Sequence, residues 1–467
     1  MLKPSSYNYV TTLADGTTLF FNFYTLALIV LDPSESGSAL DLLANPGQPQ
    51  TRGNASGLEQ LFRGKGFLID SRIDEVDLLK NAHFTSRVQQ NKLGLTIAPT
   101  INCNFRCTYC YEERKKEVMR PEVEEALVAF ARKRVVKDGS LSVMWYGGEP
   151  LLCLDIIERL SKAFMDICRD KEATYTAGIV TNGYLLDEKT AEKLASWQVK
   201  DAQITIDGPP EIHDKRRPHA NGDKTFRKIM DNVKTAAERL IIKIRMNVDD
   251  RNRDSIMGLV DILGREELYG KVSFYLGHVY PYTDACSDVS GCCLNEEDFS
   301  LLGMEATLET IQRGLGGVGI PISRNHWCMA DSEYAYVVTS SGGIAKCWNE
   351  VANPAAEVGH LLKPATERMK ENMERWRRRN PFELECAECL LLPVCMGGCP
   401  YVFERTGKLE CHLWKHHIKE RVCLYYLIKK FEQEEEMVQG FKELVQYVQE
   451  SVSCTKRLKA IGKVQGG

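Results

Sequence analysis

The first hundred residues contain no cysteine, although the chain of 467 residues has 17. Long hydrophobic runs are absent as well. The most apolar early stretch, 19–31, is interrupted by Asn22 and is too short to cross a bilayer. No basic segment leads into an apolar run with a small-residue cleavage site, so a cytoplasmic location is expected. An excess of one charge is also missing. Lys and Arg total 60 against 64 Asp and Glu, a net charge of -4, which gives no reason to expect a nucleic-acid partner or an anionic membrane. Internal repeats, low-complexity tracts and long linkers are lacking. A hydrophobic share of 43% with 27% charged residues excludes wholesale disorder.

What the chain does have is cysteine in clusters. Three fall within 103–110, three within 286–293 and seven within 328–411. An odd total cannot pair fully within one chain, and cytosolic thiols are kept reduced. Clustered cysteines in that setting point to metal or iron–sulfur ligation.

From Leu93 onward, strand and helix patterns alternate. Strands are expected at 93–99, 141–146, 176–181, 202–207, 241–248 and 272–279, with amphipathic helices at 121–136, 155–170, 187–197 and 225–239. Six β/α units predict a parallel sheet, open or curled into a partial barrel, with ligands at the C-terminal ends of its strands. Ahead of it, β-formers over 7–32 flank Ala14-Asp15-Gly16, a hairpin signal. A loop at 45–50, a short helical pattern (Leu58, Leu61, Phe62), a strand at 66–69 and a helix start at Asp74 complete a small α+β unit. The tail from Trp414 reads as helical, with Val438, Phe441, Val445 and Val448 on one face packed against the body. The expected division is 1–92, 93–284, 285–430 and a tail at 431–467.

The chemistry centres on Cys103-Asn-Phe-Arg-Cys107-Thr-Tyr-Cys110, just past the first strand of the repeat. Three thiolates at this spacing can wrap three irons of a cubane [4Fe–4S] cluster and leave the fourth iron open to a substrate or cofactor. A zinc knuckle competes, but no histidine lies close by to complete a tetrahedral site. The second strand ends in Gly147-Gly148-Glu149-Pro150. Two glycines permit close backbone approach, and the carboxylate can accept charge-assisted bonds from an ammonium group.

These motifs resemble those of the radical S-adenosylmethionine (SAM) superfamily, whose fold is a partial (β/α)6 TIM-like barrel. The resemblance implies that Cys103, Cys107 and Cys110 hold a [4Fe–4S] cluster whose open iron chelates SAM. Reduction of the cluster then releases a 5′-deoxyadenosyl radical. It further implies that Gly147, Gly148 and Glu149 face the SAM amine, that Tyr109 lies near the adenine and that Asn182 lies near the ribose. Thr205 and Arg217 match the positions that bind the SAM carboxylate.

The later cysteines run C-x13-G-x4-C, then C-x2-C-x5-C-x3-C, then one more, and resemble the SPASM extension with its two auxiliary [4Fe–4S] clusters. By that likeness Cys328, Cys347 and Cys399 belong to the first cluster, with Cys293 or Cys292 as a candidate fourth ligand, or with that iron left open for a substrate thiolate. Cys386, Cys389, Cys395 and Cys411 belong to the second. The total is three clusters plus SAM. Cys153, Cys168, Cys423 and Cys454 sit on helical patterns and read as packed thiols.

Enzymes of this layout mostly modify peptides, and the N-terminal unit resembles the winged-helix-like domain that grips leader peptides. The expected function is a maturase that crosslinks a ribosomally made precursor peptide, as a cysteine thioether of the sactipeptide or ranthipeptide type, with flavodoxin or ferredoxin as electron donor. Formylglycine generation in the manner of anaerobic sulfatase-maturing enzymes is the alternative. Those enzymes carry a catalytic Asp directly after the cysteine matching Cys347, where this chain has Trp348. Carbon–carbon crosslinking or backbone excision stays open, as does a non-catalytic iron–sulfur or zinc-ribbon protein.

Overall fold

Five short strands lie before residue 71: β1 (Leu2–Pro4), β2 (Asn8–Thr12), β3 (Thr18–Asn22), β4 (Leu28–Leu31) and β5 (Leu68–Asp70). The computed structural model describes residues 1–46, 55–112, 116–281, 291–313, 315 and 321–433. β2, β3 and β4 form an antiparallel meander, while β1 pairs with β5 in a separate two-stranded sheet. The first turn of the meander depends on Gly16, at φ +87°, where a Cβ would meet the Pro33 ring at 2.8 Å. Every residue of β3 is buried, because both of its faces are covered. Phe20 packs edge-on against Phe62, which in turn contacts Phe67. On the opposite face Phe21 and Phe23 meet Trp414, and Phe21 also meets Tyr425 of the helix Ile418–Gln433. Period-two alternation thus seats the N-terminal unit on the cysteine-rich end of the chain. A helix at Pro33–Ala44, with proline in its first turn, adds to the elements expected from the sequence.

Six parallel strands follow: β6 (Lys92–Ile97), β7 (Ser140–Trp145), β8 (Thr174–Thr181), β9 (Val199–Thr205), β10 (Ile241–Val248) and β11 (Val272–His278). Each pairs with the next in sequence order. The helices Pro121–Arg134, Leu154–Asp170, Glu188–Ser196, Phe226–Ala236 and Ile256–Arg265 lie between them. The last of these is absent from the sequence expectation; it begins from a 3-10 turn, and its N-cap Ser255 makes no side-chain cap bond. The two faces of the sheet differ in polarity. In β10, Ile242, Ile244, Met246 and Val248 are fully buried, in one core with Ile229, Val233, Leu259 and Leu263 of the flanking helices. The intervening Lys243, Arg245 and Asn247 lie on the other face. There Lys243 bonds Asp201 of β9 at 2.8 Å and Arg245 bonds Asn247 at 2.7 Å. One face is apolar and covered by helices; the concave face is polar.

The sheet does not stop at β6. β12 (Ala335–Val338) adds beside it in parallel, followed by antiparallel β13 (Gly343–Ala345) and β14 (Gly359–His360), giving nine strands. The cysteine-rich region is therefore continuous with the barrel sheet. The fold is α/β, a parallel sheet of partial-barrel type with small N-terminal sheets and a cysteine-rich C-terminal region. Among the described residues no helix is long and apolar enough to cross a membrane. Cys286, Cys454, the end of the expected 45–50 loop and the tail face from Val438 to Val448 lie outside the described residues.

Candidate active site

The loop after β6 carries Cys103, Cys107 and Cys110 at the C-terminal edge of the sheet. It is strapped to the segment following β9: Arg106 N–H donates to Pro218 O (2.8 Å), Thr108 N–H to Arg216 O (3.0 Å) and Ala220 N–H to Asn104 O (2.7 Å). Burial pushes the Cys103 thiol up to about 12, and the charges of Glu149, Cys107 and Cys110 add to the rise. A thiol held this way needs a bound cation to ionise near neutral pH.

Gly147 and Gly148 are explained by the chain itself. A Cβ at Gly147 would lie 2.3 Å from Thr100 O, and one at Gly148 would lie 2.4 Å from Asn102 O. Gly148 N–H and Glu149 N–H bond those same two carbonyls at 3.1 and 3.0 Å. The glycines let the end of β7 press on the backbone that leads to Cys103. The Glu149 carboxylate already has partners within the chain. It is fully buried and accepts from Leu151 N–H (3.0 Å), Thr181 Oγ1 (2.8 Å) and Asn182 N–H (2.7 Å), tying the ends of β7 and β8 together. Asn182 in turn donates through Nδ2 to Asn104 Oδ1 at 2.7 Å, joining β8 to the cysteine loop. Thr205 ends β9, in register with Arg245.

Tyr109 is the hub of a polar network. Its hydroxyl donates to Asp207 Oδ2 and accepts from Arg217 Nη1 (2.5 Å) and Asn247 Nδ2 (3.2 Å). The Arg216 guanidinium lies 5.0 Å from the centre of its ring. Arg216 bonds both oxygens of Asp249 at 2.9 and 3.0 Å. Burial pulls Arg217 down, yet Cys107, Tyr109 and Asp207 more than offset this and hold it well above the ordinary arginine value. It stays charged, next to the first cysteine motif. Sequence reasoning missed Asp207, Asn247, Asp249 and Arg216. The available sign was polar residues at the ends of apolar strands.

A line of aromatic rings adjoins this network. The hydroxyls of Tyr111 and Tyr146 meet, and Tyr146 stacks on Trp348. Tyr111 follows Cys110 and Trp348 follows Cys347, so this line of rings joins two cysteine groups. Cys292 and Cys293 pack in a small cluster with Val279, Tyr109 and Tyr111, on the side of the first motif. Burial raises all three of Cys328, Cys347 and Cys399; the charge of Cys399 acts on both Cys328 and Cys347, and that of Cys328 on Cys347.

The other four late cysteines surround one space. Cys386, Cys389, Cys395 and Cys411 line a cavity of about 90 Å³. Lys415 Nζ donates to Cys411 Sγ at 3.3 Å. Burial pushes Cys328 up to about 12, and Cys386 and Cys399 up to about 11. Among the described residues no three His, Cys, Asp or Glu side chains close to the spacing that holds a single metal ion. Four thiols around a cavity, with buried donors nearby that lack an acceptor (Nε of Arg324 and of Arg379), suit a polynuclear cluster rich in sulfur acceptors. The residues present fit such a group.

The family described as the Radical SAM superfamily matches residues 97–263. A cysteine-type anaerobic sulfatase-maturating enzyme of Clostridium perfringens (strain 13 / Type A) is 35% identical over 347 residues, 66% of this chain and 88% of that protein. The solved structure of native anSMEcpe with bound AdoMet and Kp18Cys peptide superposes over 73% of this chain and 99% of that one, with a TM-score of 0.57 and 21% identity. That likeness bears on the fold.

Proposed function

The chain belongs to the radical SAM superfamily of enzymes, and on that premise we propose that it is a peptide maturase. Cys103, Cys107 and Cys110 hold the SAM-binding [4Fe–4S] cluster, and Gly147, Gly148, Glu149, Asn182, Thr205, Tyr109 and Arg217 surround the SAM. Bound together, cluster and SAM supply the one-electron chemistry that removes a hydrogen atom from a substrate carbon. The protein supplies the frame. Glu149 locks the ends of two strands, the Gly147–Gly148 backbone braces the cysteine loop, and Arg217 keeps a positive charge where a carboxylate has to be held. One observation carries the reading: three thiols stand on one braced loop at the C-terminal edge of a partial barrel with a polar concave face.

Two auxiliary clusters complete the reading, one on Cys328, Cys347 and Cys399 and one on Cys386, Cys389, Cys395 and Cys411. The substrate is a precursor peptide gripped by the N-terminal unit, where a sheet edge suits strand addition. The product is a crosslink formed on a cysteine sulfur, and a flavodoxin or ferredoxin delivers the electrons. The 35% identity to a sulfatase-maturating enzyme favours a second reading, formylglycine generation. Against it stands Trp348, which offers no carboxylate after Cys347 and is stacked on Tyr146.

Co-expression with a candidate cysteine-bearing precursor peptide, followed by mass spectrometry, tests both. Loss of two hydrogens with loss of the alkylatable thiol is expected. An aldehyde trapped by a hydrazide would instead favour formylglycine. An unmodified peptide, with SAM cleaved all the same, would overturn the choice of substrate.

A further inference from the structure

Two buried or half-buried arginines, Arg379 and Arg324, contact segments of both late cysteine groups. Arg379 is 3% exposed. Its Nη1 pairs with Asp331 at 3.2 Å, in the turn that follows Cys328. Its Nη2 donates to Met396 O (3.1 Å) and Gly398 O (2.8 Å), within the five-residue loop that runs from Cys395 to Cys399. That loop passes from one cysteine group to the other through three consecutive positive φ values: +49° at Met396, +82° at Gly397 and +72° at Gly398. Met396 has a side chain and a backbone that favours glycine, so the loop needs holding. A Cβ on Gly397, at a φ that favours glycine, would sit 2.7 Å from Arg379 Nη2 and 2.9 Å from Pro381 Cβ.

Arg324 also contacts both segments. Its N–H bonds Pro393 O at 3.0 Å and its Nη1 bonds Trp327 O at 3.0 Å, so its backbone is fixed near Cys395 and its head near Cys328. The charge of Arg379 acts on both Cys328 and Cys386, and Arg324 is influenced by both Cys395 and Cys328. In each arginine the buried Nε–H finds no acceptor among the described residues. A buried donor without a partner is costly, and sulfur on either side is the acceptor chemistry at hand.

We propose that Arg379, assisted by Arg324, is a cationic partition between the two C-terminal cysteine groups, a positioning residue that fixes their spacing and raises the reduction potential of the clusters they hold. The inference rests on the auxiliary-cluster part of the reading above. Two thiolate-ligated cubanes are both anionic and become more so as each gains one electron from the external reductant. A buried cation between them offsets that added charge and favours the reduced forms.

The test is an anaerobic redox titration of the reconstituted full chain, with dithionite as reductant, following the auxiliary signals by electron paramagnetic resonance. Wild type, Arg379→Gln, Arg379→Lys and Arg324→Gln are compared at equal iron content. Both auxiliary potentials are expected to move negative in Arg379→Gln, to return most of the way in Arg379→Lys, and to move the same way but less in Arg324→Gln. A merely structural role would leave the potentials of iron-replete protein unchanged, and that result overturns the proposal. Should Arg379→Gln lose iron, Arg324→Gln decides, because it leaves the Cys395–Cys399 loop carbonyls bonded; unchanged potentials there overturn it equally. Wild-type iron for a single cubane would instead overturn the auxiliary-cluster reading itself.

Discussion

Trp348 lies against Tyr146 with ring centroids 5.2 Å apart and planes 13° from parallel. Tyr146 is almost fully buried, whereas Trp348, next to Cys347 in the chain, is 40% exposed. An exposed indole at this point suits an apolar or flat group of a bound peptide. Trp348→Ala should lower product formation by roughly two- to twelvefold, in line with about 0.5–1.5 kcal/mol of lost aromatic contact, with deoxyadenosine release from SAM largely retained. Trp348→Phe should stay near wild type. Product and deoxyadenosine assayed side by side check this, and parallel loss of both in Trp348→Ala would contradict it.

Gly148→Ala places a methyl 2.4 Å from a backbone carbonyl of the loop that carries Cys103. Backbone cannot step aside as a side-chain tip can, so the cysteine loop has to shift, at a cost of about 1–3 kcal/mol or more. The variant should bind less iron by up to one cluster's share while keeping its auxiliary clusters. Iron analysis together with electron paramagnetic resonance reads both quantities.

Glu350 is 7% exposed, and burial raises its carboxyl to about 7, although Arg375 and Arg405 pull it down. The folded value is above the unfolded one. The contribution of this group to stability is therefore complete below about pH 4.3 and is lost as pH climbs toward 7, by on the order of 2–3 kcal/mol. Glu350→Gln should flatten that part of the stability profile and melt higher than wild type at pH 8. Thermal melts of the apoprotein at pH 5 and pH 8 measure it; equal pH dependence in the two proteins would contradict the assignment.

Phe21 is fully buried and touches Phe23, Trp414 and Tyr425. Phe21→Ala should cost about 3–5 kcal/mol. The loss falls between the N-terminal meander and the helix Ile418–Gln433. Limited proteolysis should cut the N-terminal unit of the variant faster, with the barrel left intact.

The parts of this molecule that were readable in the sequence are those set by local repetition. Strand and helix periods placed all six barrel strands, since each β/α unit carries its own alternating or 3.6-residue pattern. The cysteine motifs were readable because ligand spacing is local too. The three strands beyond β6 were not. Gly343–Ala345 and Gly359–His360 are only three and two residues long and acquire strand character by pairing with distant partners. The buried tie between Glu149 and Asn182 and the network around Tyr109 escaped for the same reason. They join residues 33 and up to 138 positions apart, at strand ends that meet only in the folded sheet. Lys346 is a further case: it reads as a surface charge but is 2% exposed, bonding the carbonyls of Ser332 and Ala335.

The most direct measurement compares deoxyadenosine release from SAM under dithionite for wild type and Cys103→Ala, both purified and reconstituted without oxygen. The account predicts steady release by the wild type and none by the variant, with the auxiliary signals still present in the variant. Undiminished release from Cys103→Ala would contradict the placement of the radical chemistry on the loop after β6.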